Sequence, residues 1–175
     1  MEQKLELRMY GLVAYQLSGT IHAGIQFGHA VVEYGQIIKD LPPHQELYNN
    51  WANNWKTFII LNGGTTNNNP NRLGTLNNHL QTLRDNSIVC QNFYEPDLGD
   101  QLTAVVFIVD ERVFNKTLYP DFTPETLPWS CSKPNKKQVV ELDARNAENY
   151  KHWVEKIGGE KNAFLREYLK PLRLA

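Results

Sequence analysis

YGLVAYQLSGTIHAGIQFGHAVVEY, residues 10–34, changes its hydrophobic period halfway along. The run 10–15 is continuously apolar and short, which suits a strand covered on both faces rather than an edge strand. Ser18, Gly19 and Thr20 break it. From residue 21 to about residue 38 the apolar side chains recur at helical spacing, with Thr20 or Ser18 available as an N-cap. Strand, tight polar turn and helix in that order open a βαβ unit.

The helix carries an unusual polar line. Advancing about 100° per residue from His22, the side chains of Gln26, His29 and Glu33 fall within about 40° of the starting direction. Ala23, Gly24, Phe27, Gly28, Ala30, Val31 and Tyr34 cover the rest of the circumference, with Ile21, Ile25 and Val32 on the flank, so the helix is expected to be buried nearly all round. Gly24 and Gly28 lie on the far side, where small residues would let the helix back approach a sheet, at about 1 kcal/mol each in propensity. A buried polar group without partners costs about 1–3 kcal/mol, so a line of four needs a mating network or water. Either His29 and Gln26 bond to neighbouring loops inside an ordinary core, or the line opens into a cleft.

Outward from this unit, Leu41, Pro42 and Pro43 read as a loop, and residues 46–54 as a short helix with Trp51 and Trp55 near its end. Residues 57–61 are a second buried strand closed by Asn62, Gly63 and Gly64. Residues 65–72, rich in Asn, Thr, Pro and Gly, are a surface loop. Leu76, Leu80 and Leu83 give residues 75–84 a helical stripe, residues 87–94 are a third strand, and residues 103–109 a nearly all-apolar fourth. Asp110 is placed to cap a short helix holding Val113 and Phe114. The expectation is α/β: one domain, a four-stranded mixed sheet flanked by helices, plus a C-terminal helical extension. Its core is 1–116. Residues 117–175 form a proline-rich wrap, with four of the nine prolines between 119 and 134, and two helices over 144–169 broken at Gly158 and Gly159, packed on the core.

With 175 residues and 41% hydrophobic content, one sizeable core is expected. A net charge of -1 gives no general pull toward nucleic acid or an anionic membrane, so a polyanion must meet a local patch. No apolar run approaches the length of a membrane helix and residues 1–11 lack a secretory h-region, so a soluble, cytoplasmic protein without a membrane partner is expected. Cys90 and Cys131, the two cysteines, sit in unlike contexts far from any His, which argues against a disulfide framework and against a metal site; no cofactor is implied. Phosphate-loop, nucleophile-elbow and zinc-protease motifs are missing.

Ile21-His22-Ala23-Gly24-Ile25-Gln26-Phe27-Gly28-His29-Ala30, placed after a strand and a polar turn, resembles the G-K-[ILV]-A-A-Q-x-x-H-A motif of the archaeal and eukaryotic type of peptidyl-tRNA hydrolase, with Gln26, His29 and Ala30 in register. That family continues with a strand, a helix and a strand leading into a Q-D-A-G-R-T-Q-I-P-x-G-T loop. Here Asp97, Gly99, Gln101 and Thr103 match it after deletion of three residues, and the resemblance spans about residues 9–115. It implies hydrolysis of the ester at the tRNA 3′ end, with His29 and Asp97 in catalytic positions. Two departures stand out: the family's Lys is His22 here, and the Arg-Thr of its loop is replaced by a shorter acidic turn.

Two functions follow. In the first, His29 is a general base or orients a water, Asp97 tunes its imidazole, and backbone donors hold the oxyanion. Lys39, Lys56, Arg72 and Lys116 would contact the tRNA, a sparse set for a binder of many phosphates. In the second, the same cleft captures a small nucleotide-type ligand without catalysis, through His22, Gln26, His29, Gln101, Thr103 and the Asn and Thr groups of loop 62–71, among them Asn62 and Thr65, with Trp51, Trp55 and Tyr94 available to stack on a base. One setting for such capture is a viral protein sequestering a host nucleotide signal. A homo-oligomer is compatible with either.

Overall fold

β1 (Leu7–Val13) lies inside the sheet, as its unbroken apolar run requires: it pairs in parallel with β2 (Thr57–Asn62) and antiparallel with β4 (Gln101–Asp110), which pairs antiparallel with β3 (Cys90–Glu95). The strand order is β2-β1-β4-β3, a four-stranded mixed sheet as expected. In this computed structural model the described residues are 4–15, 19–127 and 135–175. Between the strands run α1 (Thr20–Ile37), α2 (Pro42–Asn54) and α3 (Thr75–Asp85), followed after β4 by α4 (Glu111–Phe114), α5 (Lys136–Lys156) and α6 (Glu160–Leu169).

Alternation along the strands sorts the core into two layers. Leu7, Met9 and Val13 with Ala104, Val106 and Ile108 meet Phe27, Ala30, Val31 and Tyr34 of α1 and Trp51 of α2. On the opposite face Tyr10 and Phe107 stack at 6.2 Å, and α3 packs its Leu76, Leu80 and Leu83 stripe, all buried.

Several boundaries differ from the sequence expectations for local reasons. Gly19, with φ 90, holds the N-cap position of α1 without a side-chain hydrogen bond, Thr20 is already helical, and Ser18 lies outside the described residues. α2 begins at Pro42, because proline at the first helical positions forfeits only amides that have no intrahelical partner. β3 starts three residues later than expected, since Ser87 adopts φ 55 and the Ile88 N–H donates to the Leu83 carbonyl to finish α3. β2 is only half-buried, with Phe58 50% exposed, because it lies at the side of the sheet. Leu174 bridges to Leu61 beside it.

α1 is not buried all round. Its sheet-facing arc runs from Gln26 through Ala30, Tyr34 and Phe27 to Val31, while Ile21, Ile25 and Val32 are exposed at 77%, 48% and 61%. Nor do Gly24 and Gly28 face the sheet: a Cβ on either would meet nothing within 4 Å. The close approach comes from the strand instead, where a Cβ on Gly11 would lie 2.2 Å from the Phe27 ring.

The chain divides into two compact units, Met1–Glu111 with Glu167–Ala175, and Arg112–Arg166. In the second, Val154, Ile157 and Ala163 form a small core with Tyr119 and Trp153. Its buried Arg166 donates to Asp121 Oδ1 at 2.7 Å, to the Arg112 carbonyl at 2.7 Å and to the Tyr119 carbonyl. α5 begins eight residues before the expected helix, stabilised by a capping box between Asn135 and Gln138, and the break at Gly158 and Gly159 is present. Of the proline-rich stretch, residues 128–134, with Cys131, lie outside the described residues. Among the described residues no helix is long and apolar enough to cross a membrane.

Candidate functional site

The carboxyl ends of parallel β1 and β2 meet the start of α1, the position where open α/β sheets take ligands. The Gly63 N–H donates to the Val13 carbonyl and the Tyr15 N–H to the Gly64 carbonyl, both at 2.8 Å, which holds the loop after β2 against the end of β1. Asn62 Oδ1 accepts from the Gly64 N–H at 2.8 Å, so the side chain shapes its own turn. A cavity of about 240 Å³ opens here, lined by Val13, Ala14 and Tyr15 after β1, Gly19 and Ala23 at the start of α1, Asn62, and Ala175. Tyr15 and Asn62 carry the only polar side-chain groups among these described lining residues; no His, Asp, Glu, Cys, Lys or Arg is among them. α1 starts with no side-chain cap and no acidic residue in its first turn, so its own sequence leaves the positive end of the helix dipole unneutralised.

A second polar cluster joins α1 to the hairpin of β3 and β4. Register places Phe93 opposite Ala104 and Tyr94 opposite Leu102, leaving Thr103 as the extra residue of a bulge. Its hydroxyl is within reach of two acceptors, Gln26 Oε1 at 2.7 Å and the Phe93 carbonyl at 3.2 Å. The Gln26 amide nitrogen donates to Glu95 Oε2. Gln26 and Thr103, 7% and 0% exposed, are thus satisfied by protein partners, as buried polar groups must be.

The remaining sequence candidates are spread along these elements. His29 is exposed and its ring stacks on Phe93, with centroids 4.6 Å apart and planes 19° apart. Asp97 sits exposed in the 3-10 turn Pro96–Leu98, where its N–H donates to Glu95 Oε1 at 3.4 Å. Among the described residues no hydrogen bond or ion pair joins His29 to Asp97. His22 is exposed on the first turns of α1, and Gln101, half-buried, pairs across the hairpin with Glu95.

Thr65 serves α3: the Thr75 N–H donates to its hydroxyl at 3.3 Å, and its own N–H donates to Thr75 Oγ1 at 3.0 Å. The Asn-rich loop is similarly occupied with itself. Asn67 Oδ1 accepts from the Asn69 N–H and Asn69 Oδ1 from the Asn71 N–H, each at 2.9 Å, while Asn68 Nδ2 donates to the Asp100 carbonyl at 2.6 Å.

Trp51 is 3% exposed and donates its indole N–H to the Thr57 carbonyl, which removes it from the set of stacking aromatics. Lys116 is committed to Asp121 at 2.8 Å. Cys90 is a free, half-buried thiol whose pKa is pushed up by burial, the condition of an unreactive cysteine.

Sequence reasoning missed Tyr15, Ala23 and Glu95. The first two read as the end of a strand and an apolar helix position, and only the turn of the chain faces them into one hollow. Glu95 lay in the acidic segment already singled out, but its partnership with Gln26 depends on the bulge at Thr103, which leaves no pattern in the sequence. No family model matches the chain, and no curated protein matches it.

Proposed function

We propose that this chain is a binding protein that captures a small nucleotide-type ligand in the cavity at the ends of β1 and β2, without turning it over. The lining carries this reading: a largely backbone-walled hollow beside a helix N-terminus free of acidic residues, with no general acid or base among its described residues. A phosphate suits the amides and dipole at the start of α1. Tyr15, 64% exposed, offers an aromatic face to a base, and Asn62 Nδ2 offers a donor. At about 240 Å³ the hollow is below the roughly 300–1,000 Å³ usual for drug-sized ligands, so a single small ligand is implied. A cytoplasmic setting, where such ligands are abundant, accompanies the proposal. Thermal unfolding with a panel of mono-, di- and cyclic nucleotides tests it: a ligand present at one hundred times its Kd stabilises by about 2.7 kcal/mol. Absence of a shift with every nucleotide in the panel overturns it.

One contact favours a second reading. Gln26 and Thr103 come from the two segments through which the chain resembles the peptidyl-tRNA hydrolases, and they share a hydrogen bond. In that reading His29 orients a water at the tRNA 3′ ester and Asp97 assists it. Release of peptide from peptidyl-tRNA by the wild-type protein, lost in His29→Ala, would establish it in place of the first.

A further inference from the structure

The outer face of α1 is apolar and uncovered. Ile21, Ile25 and Val32 are 77%, 48% and 61% exposed, and Gly28 between them is exposed with open space where a side chain would be. At about 100° per residue these four lie within roughly 60° of one another, a continuous seam more than two turns long. No ionisable residue lies in it; His22, His29 and Glu33 all run along one flank. We infer that this seam pairs with the same seam of a second copy of this chain, the two α1 helices running antiparallel about a two-fold axis.

The residues fit that operator. A two-fold midway between positions 26 and 27 sets Ile21 opposite Val32 of the other copy, and Ile25 opposite Gly28, so a branched side chain meets a gap in each central layer. The same operator keeps the polar flank of one helix against the polar flank of its mate with direction reversed. Glu33 then arrives within about 3 Å in height of His22 across the seam, at 1.5 Å of rise per residue. A parallel pairing would instead set Glu33 level with Glu33, so charge selects the antiparallel arrangement. Closed two-fold pairs are the commonest oligomers, because one self-complementary patch is sufficient. Ala23, the α1 side chain lining the cavity, points away from the seam by about 170°, so pairing and ligand capture are separate properties.

Sedimentation of the full chain across micromolar to hundred-micromolar concentrations gives a monomer–dimer equilibrium, and Val32→Glu shifts it to monomer with an unchanged melting temperature. Oxidative cross-linking then sets the direction: the double variant I21C with V32C gives a reducible dimer, and either single variant gives no more than the wild type. A wild-type monomer throughout, a dimer that survives Val32→Glu, or cross-linking by the single variants would each overturn the inference. Nucleotide binding is assayed on the same Val32→Glu protein and is expected to persist, so failure of the dimer is told apart from failure of the ligand site.

Discussion

The Thr103 hydroxyl reaches Gln26 Oε1 across 2.7 Å and joins residues 77 positions apart in the chain, at a point where both are buried. Thr103→Val keeps the shape and removes the donor, leaving that oxygen without its partner at a cost of about 1–3 kcal/mol. Because the two groups touch, the pair Gln26→Ala and Thr103→Val should show a coupling of about 0.5–3 kcal/mol in a double-mutant cycle from urea unfolding. Strict additivity would show that the contact contributes nothing.

Gly11 supplies a test of packing against propensity. Glycine is a poor strand residue, so Gly11→Ala would ordinarily stabilise β1. Here the added Cβ falls 2.2 Å from Phe27 and 3.2 Å from Val106, in a layer that has no slack. The expected outcome is destabilisation by at least about 1–3 kcal/mol, partly relieved when Phe27→Leu is added. A Gly11→Ala protein as stable as wild type would mean that the ring moves aside freely.

The β1 run and the leucine stripe of α3 were legible because each satisfies one periodicity, and one periodicity fixes an element. The polar line on α1 was harder, since four residues that share a direction do not share an environment. Gln26 sits nearest the sheet-facing arc by about 60° relative to His29, enough to bury one and leave the other in solvent. Helix spacing alone gives that angular order but not where the sheet cuts it. The apolar flank misled for the same reason: Ile21, Ile25 and Val32 look like core, yet one sheet face can cover only one side of a helix. Thr103 and Glu95 depend on a bulge, and Ala175 reaches the cavity through pairing with β2, both relationships between distant segments.

Asp121 makes the second unit sensitive to acid. Hydrogen bonding from Lys116, with a further contribution from Arg166, holds its carboxyl below the ordinary value of 3.8, against the burial that works in the other direction. A depressed folded pKa contributes stability that is present above the unfolded value and lost as pH falls from about 4 toward the folded value. Unfolding free energies of wild type should therefore drop over that window, and Asp121→Asn should flatten the drop. Arg166, with a side chain 1% exposed, is the more severe target: Arg166→Leu strips partners from Asp121 and two carbonyls, an expected loss of about 3–5 kcal/mol. An equal pH dependence in wild type and Asp121→Asn would assign the acid sensitivity elsewhere.

Residues 173–175 complete the sheet rather than trail from it. The Asn62 N–H donates to the Arg173 carbonyl at 2.9 Å and the Ala175 N–H to the Ile60 carbonyl at 3.1 Å. Removing residues 172–175 strips these partners from β2 and uncovers its backbone, which invites association through the bare edge. The shortened protein should melt lower and show concentration-dependent scattering on warming. Truncation after Asn115, which removes this pairing along with everything else downstream, should aggregate. A monodisperse protein lacking 172–175 with an unchanged melting temperature would show that β2 needs no neighbour on that side.

His29 and Tyr15 separate the two proposed activities, because each is exposed and each belongs to one of them. The His29 ring contributes a stack on Phe93 worth about 0.5–1.5 kcal/mol, so His29→Ala should lower stability only slightly. Along α1 it stands about 9 Å beyond Ala23, the nearer cavity residue, at 1.5 Å per residue, and its removal should leave a nucleotide-induced melting shift intact. Tyr15→Ala should do the reverse, abolishing the shift with no change in the unliganded melting temperature, since a side chain 64% exposed supports little packing. Measured together on the same two variants, loss of the shift in Tyr15→Ala alone upholds capture in the cavity. Loss of peptidyl-tRNA cleavage in His29→Ala, with a nucleotide shift absent from the wild type, would transfer the function to the helix face instead.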